Sequence, residues 1–173
     1  RTFCKNVWKQ YPTWEIRFIR GAMKINLKKV FPSELSSYVG YRIVRITTAL
    51  YLVVMIGRSS IHLFSSDGGA NGIAGIDISV AGGDNIIAIF HQWGATQLIL
   101  ALFQSLLFFR YPGITPLVLL TLAVEPVMRF IAGQMKPLIT DGPPPGESFN
   151  GVAFIILSAL FIASVSEKRT PKK

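Results

Sequence analysis

Apolar residues in this chain gather in four long runs, parted by breaks rich in glycine, proline or charge. Each run is about as long as a helix that crosses a bilayer, which predicts spans at about residues 41–64, 86–109, 114–133 and 149–166. The third run, ITPLVLLTLAVEPVMRFIAG, carries Glu125, Pro126 and Arg129 inside it. About 20 residues at 1.5 Å each make roughly 30 Å of helix, the thickness of a bilayer's hydrocarbon. An ionisable side chain at that depth costs about 2.5–3.5 kcal/mol on insertion scales. Glu125 and Arg129, four residues apart, share a helix face and can neutralise each other, with Thr121 one turn earlier on the same face. Pro126 leaves the carbonyl of Leu122 without its helical partner, so a neighbouring helix, a side chain or a water is expected to satisfy it.

The first run has a strictly uncharged part, residues 46–57, that is too short to cross alone. Arg45 and Arg58 must then reach opposite interfaces, or Arg58 must find a partner inside. In the second run Gly94, Gln97, Ala101 and Gln104 recur at spacings of three and four. This small and polar stripe allows close packing and hydrogen bonds between helices. His91 flanks it, and Trp93 suits an interfacial aromatic belt. Arg110-Tyr-Pro-Gly predicts a tight turn with Thr115 as cap and Pro116 in the first helical turn. The last span carries Ala159 and Ala163 at small-xxx-small spacing.

Ahead of the spans, residues 14–30 show a different periodicity. Ile16, Ile19, Met23, Leu27 and Val30 form one apolar ridge beside a basic ridge of Arg17, Arg20, Lys24 and Lys28. Trp14, Phe18 and Ile25 lie beyond the basic ridge. This predicts an amphipathic interfacial helix that meets anionic lipid, a partner protein, or both. Pro32 ends it, and Ser33 can cap the next helix. The fold class is therefore all-α: an integral membrane four-helix bundle over residues 33–166, with a basic interfacial and docking segment at 1–32 and a basic tail at 167–173.

Composition agrees. Charged residues are 16% of the 173, against about 25% in a soluble domain, and half the chain is apolar. The net charge of +9 suggests nucleic acid only if the basic residues are spread over a soluble surface. They cluster instead at the ends of apolar runs, which points to topology and lipid. With four spans, both chain ends share a side with every Lys and Arg except Arg58, Arg129 and Lys136. The positive-inside rule then places both ends in the cytoplasm of a bacterial inner membrane, or in the matrix of an organellar one. The chain has no initiator Met and no cleavable signal pattern, and so reads as processed or as a portion of something longer.

Candidate chemistry is sparse. The segment at 65–85 holds many glycines and Asp67, Asp77 and Asp84, but the acidic spacing of an EF-hand is absent and no metal site is assigned. Its Ile-Asp-Ile-Ser-Val run is compatible with a short strand or an extended segment. The lone Cys4 gives no disulfide, zinc or redox motif, and no hydrolytic triad or zinc-protease motif is present, so nothing points to catalysis. Arg58, His91, Gln97, Glu125 and Arg129, from three helices at similar depths, form a candidate site for an anionic headgroup, a quinone or a proton path. The same residues also fit an internal network that only fixes helix register. Haem held by His62 and His91 is not expected, because two isolated histidines at interface depth more often make ordinary hydrogen bonds.

The second-span sequence His91-Gln-Trp-Gly-Ala-Thr-Gln, the late third-span Arg129 and the Asp141-Gly-Pro beyond it resemble a bacterial family of small four-helix membrane proteins of unknown function, distantly akin to DoxX proteins. The resemblance covers about residues 41–165 and implies a four-helix fold and no established activity. The basic segment at 1–31 is not part of that family's plan, and an extension of that kind suggests attachment to something larger. The expected role is a non-catalytic accessory subunit of a larger membrane complex, with partner subunits and anionic lipids as its contacts. The alternative is an independent membrane protein that binds a lipid or quinone in the outer-half polar pocket.

Overall fold

A computed structural model describes residues 25–142 and 144–166. Its helices are α1 (Arg42–Phe64), α2 (Gly83–Arg110), α3 (Thr115–Met135), the single turn α4 (Pro145–Ser148) and α5 (Asn150–Val165). Four of these segments are long and apolar enough to cross a membrane, α5 together with the turn before it. The predicted spans match α1, α2, α3 and α5 to within a few residues at each end. Glycines 82 and 83, rather than the apolar residue at 86, open the second helix, because Gly82 takes the left-handed backbone (φ 88°) that the turn before it requires.

The helices pair as two hairpins, α1 against α2 and α3 against α5, with lighter contact between the pairs. Gly94 sets the distance within the first hairpin. A Cβ placed there would lie 2.7 Å from the backbone of His62 and Leu63, so only glycine lets the two helices come this close. Leu52, Phe108, Leu119, Leu122 and Leu157 fill the centre, all essentially buried. Val53, Ile99, Leu106, Phe109 and Ile155 point outward, as helices surrounded by lipid tails allow.

Two polar side chains inside this bundle tie one helix to another. Gln104 of α2 donates to the Thr121 hydroxyl of α3 at 3.0 Å, and Thr121 donates in turn to the Val118 carbonyl. Beside the internal proline, Asn150 of α5 donates to the carbonyl of Pro126 at 2.7 Å. A neighbouring helix thus does supply a donor at the proline, but to Pro126's own carbonyl.

Residues 25–30 depart from the helix expected there. Ile25 pairs with Ser166 in an antiparallel bridge, Asn26 N–H donates to the Val165 carbonyl at 2.9 Å, and residues Leu27–Lys29 form one 3-10 turn. Lys29 Nζ donates to the Ser166 carbonyl at 2.5 Å. The end of α5 leaves carbonyls open, and pairing with them competes with helix in this stretch. Lys28 is exposed on that turn. The other basic-ridge residues, Arg17, Arg20 and Lys24, lie outside the described residues, as does the 167–173 tail. Three local expectations are corrected. Thr115 does not cap α3 but begins it, donating to the Pro112 carbonyl at 2.7 Å. Ser33 caps no α-helix, since α1 begins at Arg42 behind Tyr41. Residues 76–80 form no strand among the described residues and run through irregular backbone and bends.

The close approach at Gly94 gives a direct test. Gly94→Ala should lower the stability of the detergent-solubilised protein by about 1–3 kcal/mol, the usual cost of overpacking, read as a fall in the midpoint of thermal unfolding. Gly57→Ala, where an added Cβ meets nothing within 4 Å, should leave that midpoint unchanged.

Candidate ligand cleft

The two hairpins leave a cleft of about 710 Å3 between them, near the ends where α1 and α3 finish. Arg58 lies six residues before the end of α1, and Arg129 six before the end of α3. At 1.5 Å per residue both sit about 9 Å below those ends. Equal depth on two helices brings their guanidinium groups into the same cleft.

A hydrogen-bonded chain runs behind it. Arg58 Nη1 donates to Gln97 Oε1 at 3.0 Å, and Gln97 Nε2 donates to Glu125 Oε1 at 3.4 Å. Arg129 Nη2 closes the chain by an ion pair to the same Glu125 oxygen, one helical turn away. Arg58 also lies over the indole of Trp93, 4.9 Å from the ring centroid. No carboxylate among the described residues pairs with it. Arg129 has its own gap, since its buried Nε has no hydrogen-bond partner among the described residues. The walls are largely apolar, with Phe90, Trp93, Phe130 and Phe154 as the main surfaces. Lys136 and Glu147 stand at the rim.

The structure therefore brings together four of the five residues singled out from sequence: Arg58, Gln97, Glu125 and Arg129. His91 is elsewhere. Its Nδ1 donates to the Leu63 carbonyl at 2.9 Å, and it does not line the cleft. His62 does line it, its ring tilted 45° against Trp93 at 4.7 Å between centroids, with Nδ1 donating to the Gly68 carbonyl at 2.8 Å. Sequence pattern marks Trp93 only as a belt residue, and Gly146, Asn150 and Lys136 carry no signal in it. Their part in the cleft depends on how the 136–149 connection folds back, which no periodicity encodes.

No family model, curated protein or solved structure matches the chain. The DoxX-like resemblance accordingly rests on the short motifs alone.

The segment after α1 roofs the cleft with Ile73 and Ala74, and Asp67 shapes that segment. Asp67 Oδ1 accepts from Gly69 N–H at 2.8 Å, and Oδ2 accepts from Gly72 and Asn71 N–H at 2.7 and 3.2 Å. These amides, Gly72 foremost, hold the Asp67 carboxyl below its ordinary range. A carboxyl with a depressed folded-state value contributes stability above its unfolded value, near 3.9, and loses it as pH falls through the folded one. Amide exchange over residues 68–76, corrected for intrinsic rate, should be flat from about pH 7 to 5 and rise below about pH 4. Asp67→Asn should raise it already at neutral pH and remove the acid-dependent step.

Proposed function

We propose that this is a small membrane protein that takes an amphiphile with an anionic head into the cleft between its two hairpins. One observation carries the reading: Arg58, at membrane depth, is held by a neutral amide and an indole face and has no counter-anion among the described residues. A cation so placed is costly, and intramembrane cations normally pair or mark a binding path. An anionic head supplies the missing charge, and the aromatic walls suit an acyl chain. A quinone, being neutral, leaves Arg58 uncompensated, so the lipid-like ligand is the better fit.

The orientation is part of the proposal. Lys28, Lys29, Arg42, Arg45 and Arg110 all belong to the end of the bundle where Ile25 pairs with Ser166. By the positive-inside rule that end faces the cytoplasm or matrix, and the cleft opens in the opposite leaflet of a bacterial or organellar inner membrane. A second reading, an accessory subunit of a larger membrane assembly, is supported by α2. The apolar window of α2 is 11% buried, against 39% for the third span, so a broad face is open to a partner helix. The two readings are compatible, because a bound lipid can sit inside a subunit.

Native mass spectrometry of the delipidated protein, titrated with dioctanoyl phosphatidic acid, tests the first reading. Arg58→Gln should weaken retention by about ten-fold or more, as loss of a charge-assisted contact does, with helicity and elution volume unchanged. Equal retention by the variant contradicts it. Migration of the native protein as a small particle after mild extraction contradicts the subunit reading.

A further inference from the structure

Each arginine of the cleft uses one terminal nitrogen in the hydrogen-bonded chain, Nη1 of Arg58 and Nη2 of Arg129. The other terminal nitrogens, Arg58 Nη2 and Arg129 Nη1, make no hydrogen bond among the described residues, and both face Gly146. A Cβ built on Gly146 would lie 3.6 Å from Arg129 Nη1 and 3.8 Å from Arg58 Nη2, with no third atom within 4 Å. The two nitrogens are therefore no more than about 7.4 Å apart, a gap that two oxygens of one phosphate-like oxyanion can bridge, each taking a charge-assisted bond. The missing side chain at 146 is what leaves the gap open.

Resting on the function proposed above, we infer that this gap is the headgroup subsite. It takes a compact oxyanion carried on an apolar tail, in a head that bears no cation. Gly146 is its specificity-determining residue. Two observations disfavour a zwitterionic head. The Trp93 face, the surface a quaternary ammonium favours, is already covered by Arg58. A bound cation also finds little to pair with, because the charged residues that line the cleft are Arg58, Arg129, Lys136 and Glu147, and Glu147 stands out at the exposed rim. The tail then runs along Phe130 and Phe154.

Gly146→Ala separates this inference from the broader reading. Its contacts of 3.6 and 3.8 Å are ordinary van der Waals distances, and Gly146 is not among the positive-φ glycines, so the fold should tolerate the methyl. That methyl intrudes on the space between the two nitrogens that the oxyanion would occupy. The measurement is native mass spectrometry of the full chain with dioctanoyl phosphatidic acid, dioctanoyl phosphatidylcholine and inorganic phosphate as probes. Expected is at least about ten-fold weaker phosphatidic acid retention in Gly146→Ala, with Gly57→Ala, outside the cleft and with an added Cβ that meets nothing, unchanged. Phosphatidylcholine should bind at least about ten-fold more weakly than phosphatidic acid to the native chain. Inorganic phosphate should fail to compete at equal concentration.

If Arg58→Gln loses binding while Gly146→Ala keeps it, the cleft stands and the subsite is overturned. If phosphatidylcholine binds as well as phosphatidic acid, the cation-free head is overturned. If inorganic phosphate competes equally, the site is one for free phosphate and the amphiphile is overturned. If neither Arg58→Gln nor Gly146→Ala changes retention, the function proposal itself falls.

Discussion

A guanidinium placed among membrane helices has to be solvated by whatever surrounds it, and the arrangement around Arg58 is the constraint on which the cleft depends. Burying a cation without a partner costs far more than burying an amide or an aromatic ring. Gln97 and Trp93 lower that cost from two sides, one by a hydrogen bond and one by the negative face of its ring. Neither cancels the charge. The residues that hold Arg58 in place thus fix its direction and leave its field acting on the cleft.

That direction requires the hairpins to meet as they do. Gly94 lets α2 press against α1, which brings Gln97, three residues on, within reach of Arg58. The same Gln97 must also touch Glu125 on α3, so one amide joins both hairpins. Deeper in the bundle Gln104 repeats the link through Thr121. Toward the other end of α3 the two pairs separate, and Asn150 holds α5 to the carbonyl of Pro126. The cleft is what remains where tight packing within each pair stops short of tight packing between pairs.

Much of this is legible along the chain. The four spans come from run length, since hydrocarbon thickness admits few alternatives. The Gly94–Gln97–Ala101–Gln104 stripe comes from helical periodicity and does carry the contacts of α2 with its neighbours. Charge at depth singles out Arg58, Glu125 and Arg129 because membrane burial makes such residues rare. His91 looks equivalent on depth alone. Depth does not give azimuth, however, and His91 turns to the Leu63 carbonyl. Gly146 is invisible for a different reason: its value lies in an absent side chain facing two arginines from distant helices. The bridge between Ile25 and Ser166 is equally hidden, because amphipathic periodicity in residues 14–30 favours helix and says nothing of a competing partner at the end of α5.

The choice of an amide between the two charged groups explains why the cleft retains a field at all. Had Glu125 reached Arg58 directly, one carboxylate shared by two guanidiniums would have drawn both nitrogens inward and closed the gap. Gln97 accepts from the cation and donates to the anion, so its dipole satisfies each without joining them. Glu125 is then committed to Arg129 by helical spacing, at a separation a single turn enforces. Two cations and one anion are left in an aromatic-walled cleft, a net positive charge that the proposed anionic ligand would balance.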